Sequence, residues 1–172
     1  MSGFSILLVV PRIVARAGDW YQPPLGLGYI SAVLKQAGFS VLNLNLNESD
    51  ESTELQISKF LGENSVNIAM TGGVTGQFIA INDVLSSIKA YSDDIVTIVG
   101  GGIITSLPKE AMEALEFADL GIIGEGEIIV VELSKALMGN TDLSTVPGIV
   151  YKNKNSIDVL DFNSQSAVGR RW

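Results

Sequence analysis

Residues 96–111 read VTIVGGGIITSLPKEA: an apolar run of strand length, three consecutive glycines, then a helix start led by Pro108. Glycine at a strand end gives up side-chain packing and adds backbone entropy to the unfolded chain, so three in a row mark a place that needs bare main chain. The same arrangement recurs on both sides. Residues 66–71 lead through Gly72, Gly73 and Gly76 into a helix over 77–91, and residues 120–123 lead through Gly124-Glu125-Gly126 into a helix over 127–138. Nearer the N-terminus, FSILLVV (4–10) is an unbroken apolar run of the kind found in strands covered on both faces. Helical spacing follows over 25–37, up to Gly38. The alternation LNLNLN (42–47) predicts a strand over 41–46 with one wetter face near a sheet edge, and a polar helix over 51–61 ends at Gly62.

Five strands, each followed by a helix with no long linker, predict a flavodoxin-like (Rossmann-like) α/β fold. Its core is a doubly wound five-stranded parallel sheet with right-handed crossovers and helices on both faces. This domain is expected to occupy residues 1–145. Residues 146–151 and 157–160 flank a turn rich in Asn and Lys, which predicts a C-terminal β-hairpin extension over 146–160. DFNSQSAVGRRW (161–172) lacks periodicity and reads as a tail or truncated linker.

Composition narrows the chemistry. The chain has 172 residues, 47% hydrophobic and 17% charged, enough for one well-buried core. Its net charge of −8 argues against a nucleic-acid partner, since phosphates need clustered Lys and Arg. Its apolar stretches fall short of the roughly 20 residues that span a bilayer, so no membrane partner and a cytoplasmic location are expected. There is no cysteine and no histidine, so the chain carries no thiolate nucleophile, no Ser-His or Cys-His pair and none of the usual zinc or iron–sulfur ligands. No catalytic residue and no metal ligand is assigned, and the chain alone is not expected to be catalytic.

In an open parallel sheet, ligands bind outside the carboxyl ends of the strands, and the three glycine clusters converge there after strands three, four and five. They form a cleft floored by backbone and wide enough for a flat or extended cofactor group. Glu125 and Glu127 make it acidic, unsuited to a polyphosphate. No GxxxxGK followed by Ser or Thr, and no GxGxxG after the first strand, points to a nucleotide.

These elements, PPLGLGYISAVLKQAGFSV (23–41), MTGGVT (70–75), IVGGGIITSLPKEAM (98–112), ADLGIIGEGE (118–127) and VPGIVYKN (146–153), stand in one order over residues 4–153. In that order the chain resembles the cobalamin-binding domain that precedes the catalytic domain of cobalamin-dependent radical S-adenosylmethionine (SAM) enzymes. The resemblance implies that cobalamin lies at the carboxyl edge with its nucleotide tail toward Thr71, Gly72, Val74, Gly100, Gly101, Gly102, Thr105, Gly124 and Glu125. Glycines would admit the benzimidazole and ribose to the main chain, and the two threonines would offer hydroxyls. The loop PRIVARAGDWYQPP (11–24) would face the corrin ring, with Arg12, Trp20, Tyr21 and Pro24 near it. The implied partner is a radical SAM catalytic domain, in cis or in trans, engaged in methyl transfer or a related radical reaction. SAM and a 4Fe-4S cluster would belong to that domain alone.

Two departures stand out. The DxHxxG motif that supplies a lower cobalt ligand in other cobalamin domains is absent, as is any CxxxCxxC cluster motif. The alternative function is an interaction or substrate-orienting module that keeps the fold without binding cobalamin. A flavin site ranks last, because no Ser/Thr-rich phosphate loop follows strand one.

Overall fold

The computed structural model describes residues 4–153 and 156–160; the expected tail over 161–172 lies outside them. In chain order the elements are β1 (Ser5–Val10), α1 (Leu25–Gln36), β2 (Ser40–Asn45), α2 (Thr53–Glu63), β3 (Ile68–Gly72), α3 (Phe78–Tyr91), β4 (Val96–Gly100), α4 (Gly102–Ser106), α5 (Pro108–Ala114), β5 (Leu120–Ile122), α6 (Gly126–Gly139), β6 (Ile149–Asn153) and β7 (Ser156–Leu160). One sheet orders its strands β2-β1-β3-β4-β5-β6-β7. The first five are parallel, while β6 pairs antiparallel with β5 and β7 with β6.

The count of five strands followed by a separate hairpin is thus corrected to a single seven-stranded sheet. Ile149 sits opposite Ile122 and Tyr151 opposite Leu120, so the hairpin covers what would otherwise be the exposed edge of β5. Gly121 makes this close packing possible, because a Cβ there would lie 2.7 Å from Val150 Cγ1 and 3.0 Å from Ile104 Cγ2. A second correction concerns IITS, which forms the separate short helix α4 before Pro108 opens α5.

The apolar run of β1 explains the two-faced core. Ile6 and Leu8 pack on one face with Ile68, Met70, Ile98, Leu34 of α1 and Ile129, Val130 and Leu133 of α6. Leu7 and Val9 pack on the other with Ala69, Ile57 and Leu61 of α2 and Val84 and Ile88 of α3. Farther along that second face, Val99 meets Ile81, Leu85, Ile104 and Met112. Strand alternation sends successive side chains to opposite faces, and helices on both sides remove each from water. β2 closes one sheet edge, as the Asn-rich alternation predicts.

Candidate functional site

The glycine clusters after β3 and β4 interlock at the carboxyl end of the sheet. Gly73 N–H donates to Gly100 O (3.2 Å), and Ile103 N–H donates to Gly73 O (3.1 Å). Backbone lies directly on backbone. A Cβ on Gly72 would stand 2.5 Å from Gly100 O, and one on Gly101, whose φ is +87°, would stand 2.7 Å from Gly73 O. The third loop is tied in through Thr105, whose hydroxyl oxygen accepts from Gly124 N–H (2.9 Å). Glu125 stands exposed at the N-cap position of α6, where its side chain makes no capping hydrogen bond.

Two glycines in this ring are not explained by the interlock. Around Gly100 and around Gly124, a Cβ would meet nothing within 4 Å. Gly124 has a left-handed φ of +76°, which by itself calls for glycine; Gly100 carries no such demand and presents bare main chain to open space among the described residues, a cradle that a side chain would fill. Val74 is 59% exposed and lies beside Gly102, whose Cβ would be 3.7 Å from Val74 Cγ1. The structure thus gathers Gly72, Val74, Gly100, Gly101, Gly102, Thr105, Gly124 and Glu125 on one edge.

Thr71 differs from expectation. It is 3% exposed inside β3, and its hydroxyl donates to Val9 O (3.1 Å) across the sheet. A buried hydroxyl must find a partner, and the neighbouring strand supplies it. Thr105 keeps its hydroxyl proton available while its oxygen accepts, so it is the better polar contact for a ligand.

Arg12 and Tyr21 have their polar groups engaged within the protein, and Arg12 also lines a cavity with Ile13, Val14, Gly76 and Gln77. The Arg12 guanidinium donates to the carbonyl oxygens of Ser49 and Glu51, the latter at 2.7 Å. Tyr21 Oη accepts from Asn45 Nδ2 (2.6 Å). Arg12 fastens the loop after β1 to the loop after β2, where free carbonyls draw the nearest donor, and Tyr21 fastens it to the end of β2. Trp20 remains 88% exposed and Pro24 opens α1 without a side-chain cap. Exposed Leu25 and Tyr29 of α1, and Ile128 of α6, share this end of the sheet with Trp20. The sequence reading missed the buried Asn47 in this strap; the only signal was the Asn alternation itself.

Among the described residues no group of three or more acidic side chains could hold a metal ion, and no helix is long and apolar enough to cross a membrane.

Comparison with known proteins adds the family. Residues 11–134 match the B12 binding domain. An uncharacterized methyltransferase of Pyrococcus horikoshii is 26% identical over 164 residues, 91% of this chain and 34% of the relative. The anaerobic magnesium-protoporphyrin IX monomethyl ester cyclase of Cereibacter sphaeroides is 24% identical over 144 residues, 82% of this chain and 23% of the relative. The chain therefore spans about a third or less of these relatives. Among solved structures, the radical SAM methyltransferase TsrM from Kitasatospora setae, with cobalamin and a [4Fe-4S] cluster bound, superposes with a TM-score of 0.78 at 20% identity, covering 94% of this chain and 29% of that one. The cobalamin-dependent SAM radical enzyme OxsB with aqua-cobalamin bound gives 0.70 at 21% identity, covering 92% and 22%.

Proposed function

The chain belongs to the B12-binding domain family, and from that premise we propose that it holds cobalamin at the carboxyl edge of its sheet and presents it to a radical SAM catalytic domain for methyl transfer or a related radical reaction. The observation that carries this reading is the open space before Gly100, a glycine that neither a positive φ nor contact between loops requires, in a ring where Gly72 and Gly101 pack main chain on main chain. Cobalamin, when bound, supplies a cobalt centre able to carry an alkyl group or electrons. The chain's part is to bind and orient. Gly100 and Gly124 would admit the nucleotide tail to the backbone, Gly72, Gly101 and Gly102 would keep the loops in place beneath it, and Thr105 would donate its free proton to a polar group of the tail. Thr71 acts one step back, by locking β3 to β1 through Val9 O. With no histidine or cysteine, the chain offers cobalt neither imidazole nor thiolate. The link to a catalytic domain draws support from the relatives, which are longer than this chain and carry names of methyltransferase and radical SAM chemistry.

The alternative, a module that keeps the fold without the cofactor, is favoured by the fact that Gly72 and Gly101 are fully accounted for by contact between loops. It accounts for Gly124 as well, through the positive φ there, and leaves Gly100 unexplained. Titration with hydroxocobalamin, followed by desalting and an absorption spectrum, separates the two. Cobalamin binding predicts stoichiometric retention with shifted bands; passage of all the cobalamin into the salt fraction would refute it.

A further inference from the structure

Asn47 is 3% exposed and bonds at both ends of its amide. Its oxygen accepts from Ile13 N–H (2.7 Å) and Val14 N–H (3.2 Å), while its NH2 donates to Pro11 O (2.9 Å) and Asn45 Oδ1 (3.0 Å). One side chain thus satisfies three backbone groups at the root of the loop that leaves β1. Neither helix nor strand serves them, and main-chain groups taken out of water need partners. Only a carboxamide can do this: Asp has no donor and Ser too short a reach.

The loop's outer part is held by weaker means. Ala17 N–H donates to the exposed Asp50 carboxylate (2.7 Å) and Tyr21 is held by Asn45. The loop then enters α1 at Pro24, with no side-chain cap and no acidic residue in the first turn. Core packing seats α1 itself: Leu34 is fully buried, and Ile30 lies against the start of α6, where a Cβ on Gly126 would be 3.2 Å from Ile30 Cδ1. Trp20, 88% exposed, is carried by the loop and so depends on how the loop is held.

We propose that Asn47 is a positioning residue for cofactor binding: it fixes the root of the loop after β1, and with it the exposed Trp20 that the loop carries. The inference rests on the cobalamin reading above. The test uses the whole chain with Trp172→Phe, so that Trp20 is the sole indole, and compares it with the same protein carrying Asn47→Ala. Amide exchange over 11–17 is read without cofactor; hydroxocobalamin affinity and the quenching of Trp20 emission at saturation are read with it. Asn47→Ala is expected to speed exchange at Ile13 and Val14 and to weaken binding, each by about tenfold or more. It is also expected to reduce quenching at saturation, a readout that a loss of stability alone would not move. Unchanged exchange, or faster exchange with affinity and quenching as in the parent, would overturn the proposal. If Asn47→Ala does not fold, Asn47→Asp takes its place, keeping both acceptor bonds while setting a carboxylate against Pro11 O. A parent that retains no hydroxocobalamin would sink the cobalamin reading and this inference with it, while the exchange data would still report whether Asn47 holds the loop.

Discussion

The two ends of the sheet are finished in opposite ways. At the amino end, charged and polar side chains close the fold on itself. Asp119 Oδ2 accepts from Thr97 N–H (2.8 Å) and pairs with Lys89 Nζ (2.7 Å), which also donates to Ile95 O (2.9 Å). The Thr97 hydroxyl donates to Phe117 O (2.6 Å), and Lys152 Nζ donates to Leu115 O and Glu116 O, both at 2.8 Å. At the carboxyl end, polar side chains tie the loops after β1 and β2 together; the loops after β3 and β4 are glycine-rich, with main chain against main chain, and apolar side chains are left in water. An end whose polar groups are used up serves stability; an end left bare beneath exposed Trp20 and Ile128 is built for something else to cover.

The comparison breaks most readily at Gly101. Valine there would need a positive φ and would set its Cβ 2.7 Å from Gly73 O. A loss of about 3 kcal/mol or more is expected in urea unfolding, with cobalamin binding gone as well. A variant that unfolds like the parent would mean that the interlock is dispensable.

Asp119→Ala strikes the other end. It leaves the Thr97 N–H without its acceptor and Lys89 without its carboxylate, while the Thr97 hydroxyl keeps Phe117 O, so a loss of about 1–3 kcal/mol is expected. Hydroxocobalamin affinity, measured where the variant is folded, should match the parent; a parallel loss of affinity would dissolve the division between the ends.

Ser134 tests the scaffold between them. Its hydroxyl is buried in α6 with no hydrogen-bond partner among the described residues, so Ser134→Ala should raise stability by up to about 1 kcal/mol in thermal or urea melts. A clear loss would show that the hydroxyl has a partner in solution.

Lys152 gives the smallest effect. Burial pushes its pKa below the ordinary 10.5, opposed by Asp119 and Glu116. The folded state therefore releases this proton at lower pH than the unfolded chain does, and stability gains as pH rises from the lowered value to 10.5. Lys152→Met should lose that small alkaline gain relative to the parent; an identical pH profile would place the amine in water.

Much of this architecture is legible in the residues. FSILLVV and the glycine-ended runs announce buried parallel strands, and Gly38 and Pro108 mark helix ends because each acts through the local backbone; Gly62 does not, since α2 runs through it to Glu63. What escaped reading depends on contacts between distant segments. Nothing local in VPGIVYKN says that β6 joins β5, since that pairing rests on the room left by Gly121. Arg12 and Tyr21 look free in a loop, and Thr71 looks available after a strand; only the approach of the β2–α2 loop and of β1 commits their polar atoms. Gly72, Gly100 and Gly101 look alike in sequence, yet two are bound to each other's loops and one faces open space.

That difference allows the most direct test. Gly100→Val adds a side chain where nothing lies within 4 Å, at a strand end with ordinary φ. Its urea midpoint should stay within about 0.5 kcal/mol of the parent, and its hydroxocobalamin dissociation constant should rise by about tenfold or more. A stable Gly100→Val protein that binds hydroxocobalamin as tightly as the parent would contradict the placement of the cofactor over the glycine cradle.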